Sequence, residues 1–332
     1  MPVSMTVGLF GARLPAAWHL AAYVDSPRVE AVALAEPDGS LRESLHARFG
    51  IIKRAVADYG DVLADASIAV VDIRGPLQQR AEMAVAALQA GKQVICLGPP
   101  AASAADFRRM MAAEGSGRLF VLAPDLHVPA IEKACELLAE GELGEPILAS
   151  WVATDWARTP FDGPGAGDRC WPDSGLGLLL DRCYGAAVLL QRWLGPAEAV
   201  CATSAGERVE SADIRTRDGA LGQMTAIAAV AGDVAVERRL IGSDASLLIR
   251  DDPEDELTLG GFVDGVFQPI PVRHTPYVQR HATRVGLQAL LECIAGEGEP
   301  PLPNEEALRA MELLDAARES LRGGGAVALA TG

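Results

Sequence analysis

Met5-Thr6-Val7-Gly8-Leu9-Phe10-Gly11-Ala12-Arg13-Leu14-Pro15-Ala16 opens as an apolar run over Met5–Phe10, turns at Gly11 and passes into a helical pattern over Ala16–Val24. Pro15 falls near the first turn of that helix, where a missing N–H costs little. Strand, glycine turn and helix is the setting of a dinucleotide fingerprint. The full pattern has glycines at its first, third and sixth places: for a tight turn, for close approach of backbone to a pyrophosphate, and for helix–strand packing. Here Gly11 holds the first place, Arg13 the third, and Ala16 is an accepted substitute at the sixth. A second buried strand, Val29–Ala35, runs into Glu36, which is placed to accept hydrogen bonds from a ribose diol. On these residues alone, a βα turn without a cofactor and with a solvated Glu36 stands equally open.

Outward from this unit the alternation continues. Ser40–Phe49 reads as a helix ended by Gly50, Ile51–Ala55 as a short strand and Ile68–Ile73 as the next. Pro76 opens a helix that ends at Gly91, and Gln93–Cys96, Ser103–Glu114 and Leu119–Leu122 follow as strand, helix and strand. Such alternation implies βαβ units and a doubly wound parallel (Rossmann) sheet, with ligands received outside the carboxyl ends of the strands. The rhythm then changes. Ile147–Trp156 is extended, Thr159–Arg169 is a Gly/Pro/Asp loop, and Leu176–Leu194 reads as one long apolar helix. Glu198–Thr203, Gly222–Val230, Val234–Ile241 and Ser246–Ile249 are strand-like runs between turn signals, which predicts an open, mostly antiparallel sheet. Helices over Val278–Ala295 and Asn304–Arg322 close the chain. The expected organisation is a Rossmann domain over 1–124 and an α+β domain over 125–332, the last helices being candidates to pack back on the first.

The chain has 332 residues and a formal net charge of −16, with 49% apolar and 22% charged residues. Its acidic balance argues against nucleic-acid or anionic-membrane partners, which need a basic footprint. No apolar run approaches a membrane span, and Arg13 interrupts the only stretch that resembles a signal peptide. Six cysteines (96, 135, 170, 183, 201 and 293) show no CxxC spacing. They read as free thiols in a reducing cytoplasm, with no metal site. Lysine occurs only at 53, 92 and 133, and histidine only at 19, 46, 127, 274 and 281.

Val7-Gly8-Leu9-Phe10-Gly11, Val32-Ala33-Leu34-Ala35-Glu36-Pro37-Asp38, Ala84 through Gly91-Lys92-Gln93-Val94, Glu140-Gly141-Glu142-Leu143-Gly144-Glu145-Pro146 and the helix ending Arg192-Trp193-Leu194-Gly195 occur in a characteristic order. In that order and spacing the chain resembles the glucose–fructose oxidoreductase/inositol dehydrogenase (Gfo/Idh/MocA) family over nearly its full length. The resemblance implies NAD(P) in the first domain and a sugar, cyclitol or other small polar substrate against the open sheet of the second. It places the cofactor at Gly11, Arg13, Glu36, Pro76 and Pro99, with NAD favoured over NADP because the Glu36 carboxylate repels a 2′-phosphate. It also implies a homodimer or homotetramer, since the open sheet leaves an apolar face to be covered.

The departures fall on the chemistry. Leu97-Gly98-Pro99 stands where the family has Glu-Lys-Pro, and Gly75-Pro76 where it has Thr-Pro. The family's Asp-x-Gly-x-His-x-x-Asp aligns with Asp181 through Val188, so Asp181 is kept while Gly185 replaces the acid/base histidine and Val188 the second aspartate. None of the three lysines is placed to substitute. His127, just after a strand end, Asp181, Tyr184 and His274 are the remaining candidates for acid/base work. Arg169, Tyr277 and His281 are candidates for holding substrate. Each has a structural reading too: Asp125 and its neighbours as a helix cap, Asp181 in an ion pair, Tyr184 in core packing, and His19 and His46 as surface or partly buried structural residues. Two functions stay open, an NAD(P)-linked oxidoreductase and a protein on the same fold without hydride chemistry. The second would be a cofactor-independent lyase, isomerase or hydratase, or a non-catalytic subunit.

Overall fold

In the computed structural model, which describes residues 4–12, 16–115, 117–154, 175–228, 236–251, 257–263, 265–272 and 278–329, the first half forms a six-stranded parallel sheet. Its elements are β1 (Met5–Phe10), α1 (Ala16–Val24), β2 (Val29–Ala35), α2 (Gly39–Arg48), β3 (Ile52–Val56), α3 (Tyr59–Leu63), β4 (Ile68–Ile73), α4 (Leu77–Gln89), β5 (Gln93–Leu97), α5 (Ala104–Ala112) and β6 (Leu119–Leu122). The strand order is β3-β2-β1-β4-β5-β6, so the winding reverses between β1 and β4. The strands are apolar on both faces because helices cover both. Val7, Leu9, Val32, Leu34, Val71, Ile73 and Ile95 are all inaccessible. Asp72, one residue before the end of β4, breaks that rule while being equally buried.

The second half comprises α6 (Pro129–Ala139), β7 (Pro146–Thr154), α7 (Leu178–Arg182), α8 (Tyr184–Leu194), β8 (Ala197–Ala205), β9 (Val209–Thr216), β10 (Leu221–Ile227), β11 (Val236–Gly242), β12 (Ser246–Asp251), β13 (Leu257–Val263), β14 (Val266–Ile270), α9 (Val278–Ile294), α10 (Asn304–Gly323) and β15 (Val327–Ala328). Its nine strands run in the order β14-β13-β12-β11-β7-β10-β9-β8-β15. Only β7 and β10 pair in parallel; the remaining neighbours are antiparallel. Alternation along each strand gives the sheet two unlike faces. Ala149, Trp151 and Ala153 of β7 and Met224 and Ala226 of β10 are buried, whereas Gln223, Asp213 and Arg215 are exposed.

The chain divides into two compact units. One comprises residues 1–124 with 282–308, the other 125–281 with 309–332. Among the described residues no helix is long and apolar enough to cross a membrane.

Two features differ from the sequence reading, and a third is not tested. The single helix expected over Leu176–Leu194 is two helices, because Cys183 leaves helical geometry at φ −113° and ψ 17°. The expected loop over Thr159–Arg169 lies outside the described residues. Strands β9, β13, β14 and β15, and the short α3, escaped the sequence reading. In β9, Val209-Glu210-Ser211-Ala212-Asp213 carries too few large apolar residues for its alternation to stand out.

Candidate active site

The fingerprint turn is built around one carboxylate. Gly11 has φ +92°, and a Cβ there would meet the backbone of Arg74 and Gly75 at 2.9 Å, so both its conformation and the closeness of the β4 turn require glycine. Glu36 follows β2 and is only 6% exposed. Its Oε2 accepts the Ala12 N–H at 2.7 Å and its Oε1 accepts the Asp38 N–H at 2.9 Å. A solvated Glu36 is therefore ruled out: the carboxylate is seated at the turn, and each oxygen keeps acceptor capacity for a further donor. Arg13 lies outside the described residues.

The other two turns at this end of the sheet are joined by Arg80, which the sequence reading missed. Its Nε donates to Gly75 O at 3.0 Å, and its Nη1 donates to Leu97 O at 2.8 Å and Pro99 O at 2.6 Å. Pro76 precedes α4 as its N-cap residue, and the Gly98–Pro99 bond is cis. A guanidinium thus lies against the carbonyls that flank Gly98, where the chain carries no lysine.

Behind the same turn lies a buried polar cluster. Asp72 Oδ2 meets His19 Nδ1 at 2.5 Å and accepts the Tyr23 hydroxyl at 2.8 Å, while Arg74 Nη1 meets His19 Nε2 at 2.7 Å. A guanidinium can only donate and an ionised carboxylate can only accept, so His19 is the neutral Nδ1–H tautomer. Burial lowers the His19 pKa in agreement, and Arg74 is brought down to about 10, chiefly by burial. Burial alone would raise Asp72, but His19, Arg74 and the Tyr23 hydroxyl bring it below the ordinary carboxylate value. His19 is thus no surface residue; it is fully enclosed. A histidine on an otherwise apolar helix gave little sign of this, because its partner Asp72 sits fifty-three residues away.

In the second unit the chemistry gathers on the turn before α6 and the break between α7 and α8. Asp125 does not cap α6: the cap is Val128, with no side-chain hydrogen bond. The Asp125 carboxylate instead lies against Gly185, where an added Cβ would come closer to Oδ2 than real Cβ contacts allow. Arg238 of β11 is fully buried, stacks over the Trp151 ring at 4.1 Å and brings Nη2 to 3.7 Å from Asp125 Oδ1. Glu210 of β9 accepts the Leu179 N–H of α7 at 2.9 Å. Burial pushes the neighbouring Cys183 thiol well above its ordinary range.

His127 is nearly buried, with Nδ1 3.8 Å from Glu132 Oε1. Burial, then the positive charges of Arg192 and His281, lower its pKa to about 4. Asp181 is half-buried at the end of α7, and Tyr184 is buried at the start of α8. Arg169, His274 and Tyr277 lie outside the described residues. The lysines are elsewhere: Lys92 donates to Asp65 O and Ile68 O, Lys53 to Gly50 O, and Lys133 pairs with Glu136. Among the described residues no three His, Cys, Asp or Glu side chains are grouped to hold a metal ion.

A parallel sheet with a glycine turn and a seated carboxylate at its β1–β2 end defines a dinucleotide-binding type of domain, here joined to an open mixed sheet. Residues 5–122 match the Gfo/Idh/MocA oxidoreductase family, described as an NAD-binding Rossmann fold. Over those residues the chain is similar to that family. A levoglucosan dehydrogenase from Pseudarthrobacter phenanthrenivorans is 29% identical over 168 residues, 47% of this chain and 43% of its own length. An inositol 2-dehydrogenase from Saccharopolyspora erythraea is 31% identical over 156 residues, 45% and 46% of the two chains. The chain thus matches less than half the length of these curated relatives. In fold the likeness is complete: a solved levoglucosan dehydrogenase in complex with NADH and levoglucosan superposes with a TM-score of 0.83, covering 98% of this chain and 99% of that one at 20% identity.

Proposed function

We propose that this protein is an NAD-linked dehydrogenase that oxidises a secondary hydroxyl of a small polyhydroxylated substrate, or reduces the matching carbonyl. The carrying observation is the Glu36 carboxylate, buried at the glycine turn and bonded to the Ala12 and Asp38 amides. An acid so placed suits a ribose diol, whose two O–H groups would donate to it, and opposes a 2′-phosphate. Gly11 keeps the turn free of a side chain, and Arg80 fixes the turns after β4 and β5 at their carbonyls. When bound, the dinucleotide supplies the hydride acceptor; this chain's part is to hold it, orient the substrate and manage the hydroxyl proton. The relatives' names support the substrate class, since levoglucosan and inositol both carry rings of hydroxyl groups.

Calorimetric titration of the purified protein with NAD+ and NADP+ tests the reading. It expects NAD+ to bind at least tenfold more tightly, because one buried like-charge encounter is worth more than about 1.4 kcal/mol. Binding of neither dinucleotide would favour a protein of this fold without hydride chemistry.

A further inference from the structure

We propose that Arg74 is the side-chain anchor for the diphosphate of the dinucleotide, an assignment that rests on the NAD-linked reading above. The residue stands where the winding of the sheet reverses, just after β4. Its N–H donates to Phe10 O at 2.6 Å, and its backbone lies so close to Gly11 that a Cβ there would meet it at 2.9 Å. Its Nη1 reaches Nε2 of His19, the fourth residue of α1. The guanidinium is thus set between the glycine turn and the first turn of the helix that follows it. All of these residues belong to one compact unit.

Two buried atoms of this cluster have no hydrogen-bond partner among the described residues, Nε of Arg74 and Oδ1 of Asp72. They do not satisfy each other. His19 stands between the two side chains as a neutral ring, accepting from Arg74 at Nε2 and donating to Asp72 from Nδ1. The ring orients the guanidinium and leaves its Nε–H without an acceptor. A buried charged donor in that state is costly, and an incoming anion would relieve it. Arg74 keeps 7% of its surface exposed, whereas His19 and Asp72 keep none, so of the three only the cation can be approached.

The class of anion follows from the neighbours. Glu36, after β2, suits the adenosine ribose, and the diphosphate is the next group along a dinucleotide. The next strands along the sheet are β1 and then β4, which carries Arg74 at its end. A helix N-terminus favours phosphate through its open amides and its dipole, and a guanidinium adds a fixed charge with forked donors. Such a donor offsets the loss of bare backbone at the third fingerprint place, which is Arg13 in this chain. Burial brings Arg74 only to about 10, so it is a cation at neutral pH. Arg80 is committed elsewhere, its Nε and Nη1 donating to three carbonyls.

The test is calorimetric titration of the full-length protein with NAD+, ADP-ribose and adenosine, the last carrying the ribose without a phosphate. Arg74→Gln keeps an N–H for His19 Nε2 and removes the charge. It should weaken NAD+ and ADP-ribose about tenfold to a hundredfold, the worth of hydrogen bonds from a charged donor. Adenosine affinity should stay within about twofold of the parent, because no phosphate is involved. Arg74→Lys restores the charge without the fork, and should weaken ADP-ribose only about threefold to tenfold. If the glutamine variant fails to fold, the lysine variant decides alone by the same contrast between ADP-ribose and adenosine. Parent-level ADP-ribose affinity in the folded variants, or an equal loss for adenosine and ADP-ribose, would overturn the proposal and leave the NAD-linked reading standing. A parent protein that binds neither NAD+ nor ADP-ribose would overturn that reading itself, and the role of Arg74 with it.

Discussion

The Ala12 amide donates to Glu36 Oε2 at 2.7 Å, which ties the turn after β1 to the residue after β2. One carboxylate therefore orders the turn, and in the proposed function it would also be the acceptor for a ribose. Glu36→Ala should do two things at once. It should weaken NAD+ binding about tenfold to a hundredfold, as expected for loss of hydrogen bonds to a charged group. It should also narrow the preference over NADP+, because the repelling charge has gone. Titration of both dinucleotides against the variant and its parent measures both effects.

The cluster behind that turn makes a stability prediction. In Asp72→Ala, Arg74 and His19 lose the only carboxylate that the cluster supplies, inside a fully buried site. Removing one partner of such a pair costs about 3–5 kcal/mol, whereas Tyr23→Phe removes a single hydrogen bond and should cost about 1 kcal/mol. Urea denaturation at neutral pH would report both. Equal costs would mean that the cluster does not hold Asp72 as a charge.

Acid should destabilise the protein at a pH above that of ordinary carboxylate titration. The native His127 has its pKa lowered from 6.5 to about 4, and His19 is lowered in the same direction. A histidine held neutral in the native state gains its proton first in the unfolded chain. Its contribution is therefore whole above pH 6.5, shrinks as the pH falls through the window, and is gone below about 4. For His127 this amounts to about 3 kcal/mol. Denaturation curves between pH 7 and pH 4 should show that fall, and His127→Asn should flatten it. A profile unchanged by the substitution would contradict the enclosure of His127.

The outer face of the second sheet predicts self-association. Leu221 and Phe262 stand 52% and 45% exposed, beside the exposed pairs Arg215–Glu198 and Arg250–Glu237. A face of mixed apolar and charge-paired side chains suits a second copy of the chain. Light scattering at micromolar concentration should give at least a dimer, and Leu221→Glu with Phe262→Glu should shift it towards the monomer.

The class of fold was legible in the sequence because periodicity is a local signal. Apolar strand, glycine turn and helix recur over the first half, and the six parallel strands follow from them. Gly11 and Glu36 could be read by position for the same reason. The rest was hidden where partners are distant. Asp72 reads as one acid in an apolar strand until His19 and Tyr23 come over it, and Arg80 reads as a solvated helix residue until three carbonyls surround it. Gly185 reads as a vacancy until Asp125, sixty residues earlier, is found in the space. The helix break at Cys183 carried no signal, since neither proline nor glycine stands at that position.

Isotope tracing tests the central claim most directly. The protein is incubated with NAD+ and carbon-deuterated myo-inositol, and the dinucleotide is recovered for mass spectrometry. Direct hydride transfer predicts deuterium in the NADH formed, one atom per molecule of ketone produced. Conversion of the polyol without reduced dinucleotide, or NADH that carries no deuterium, would contradict it and turn the reading towards lyase, isomerase or hydratase chemistry on this fold.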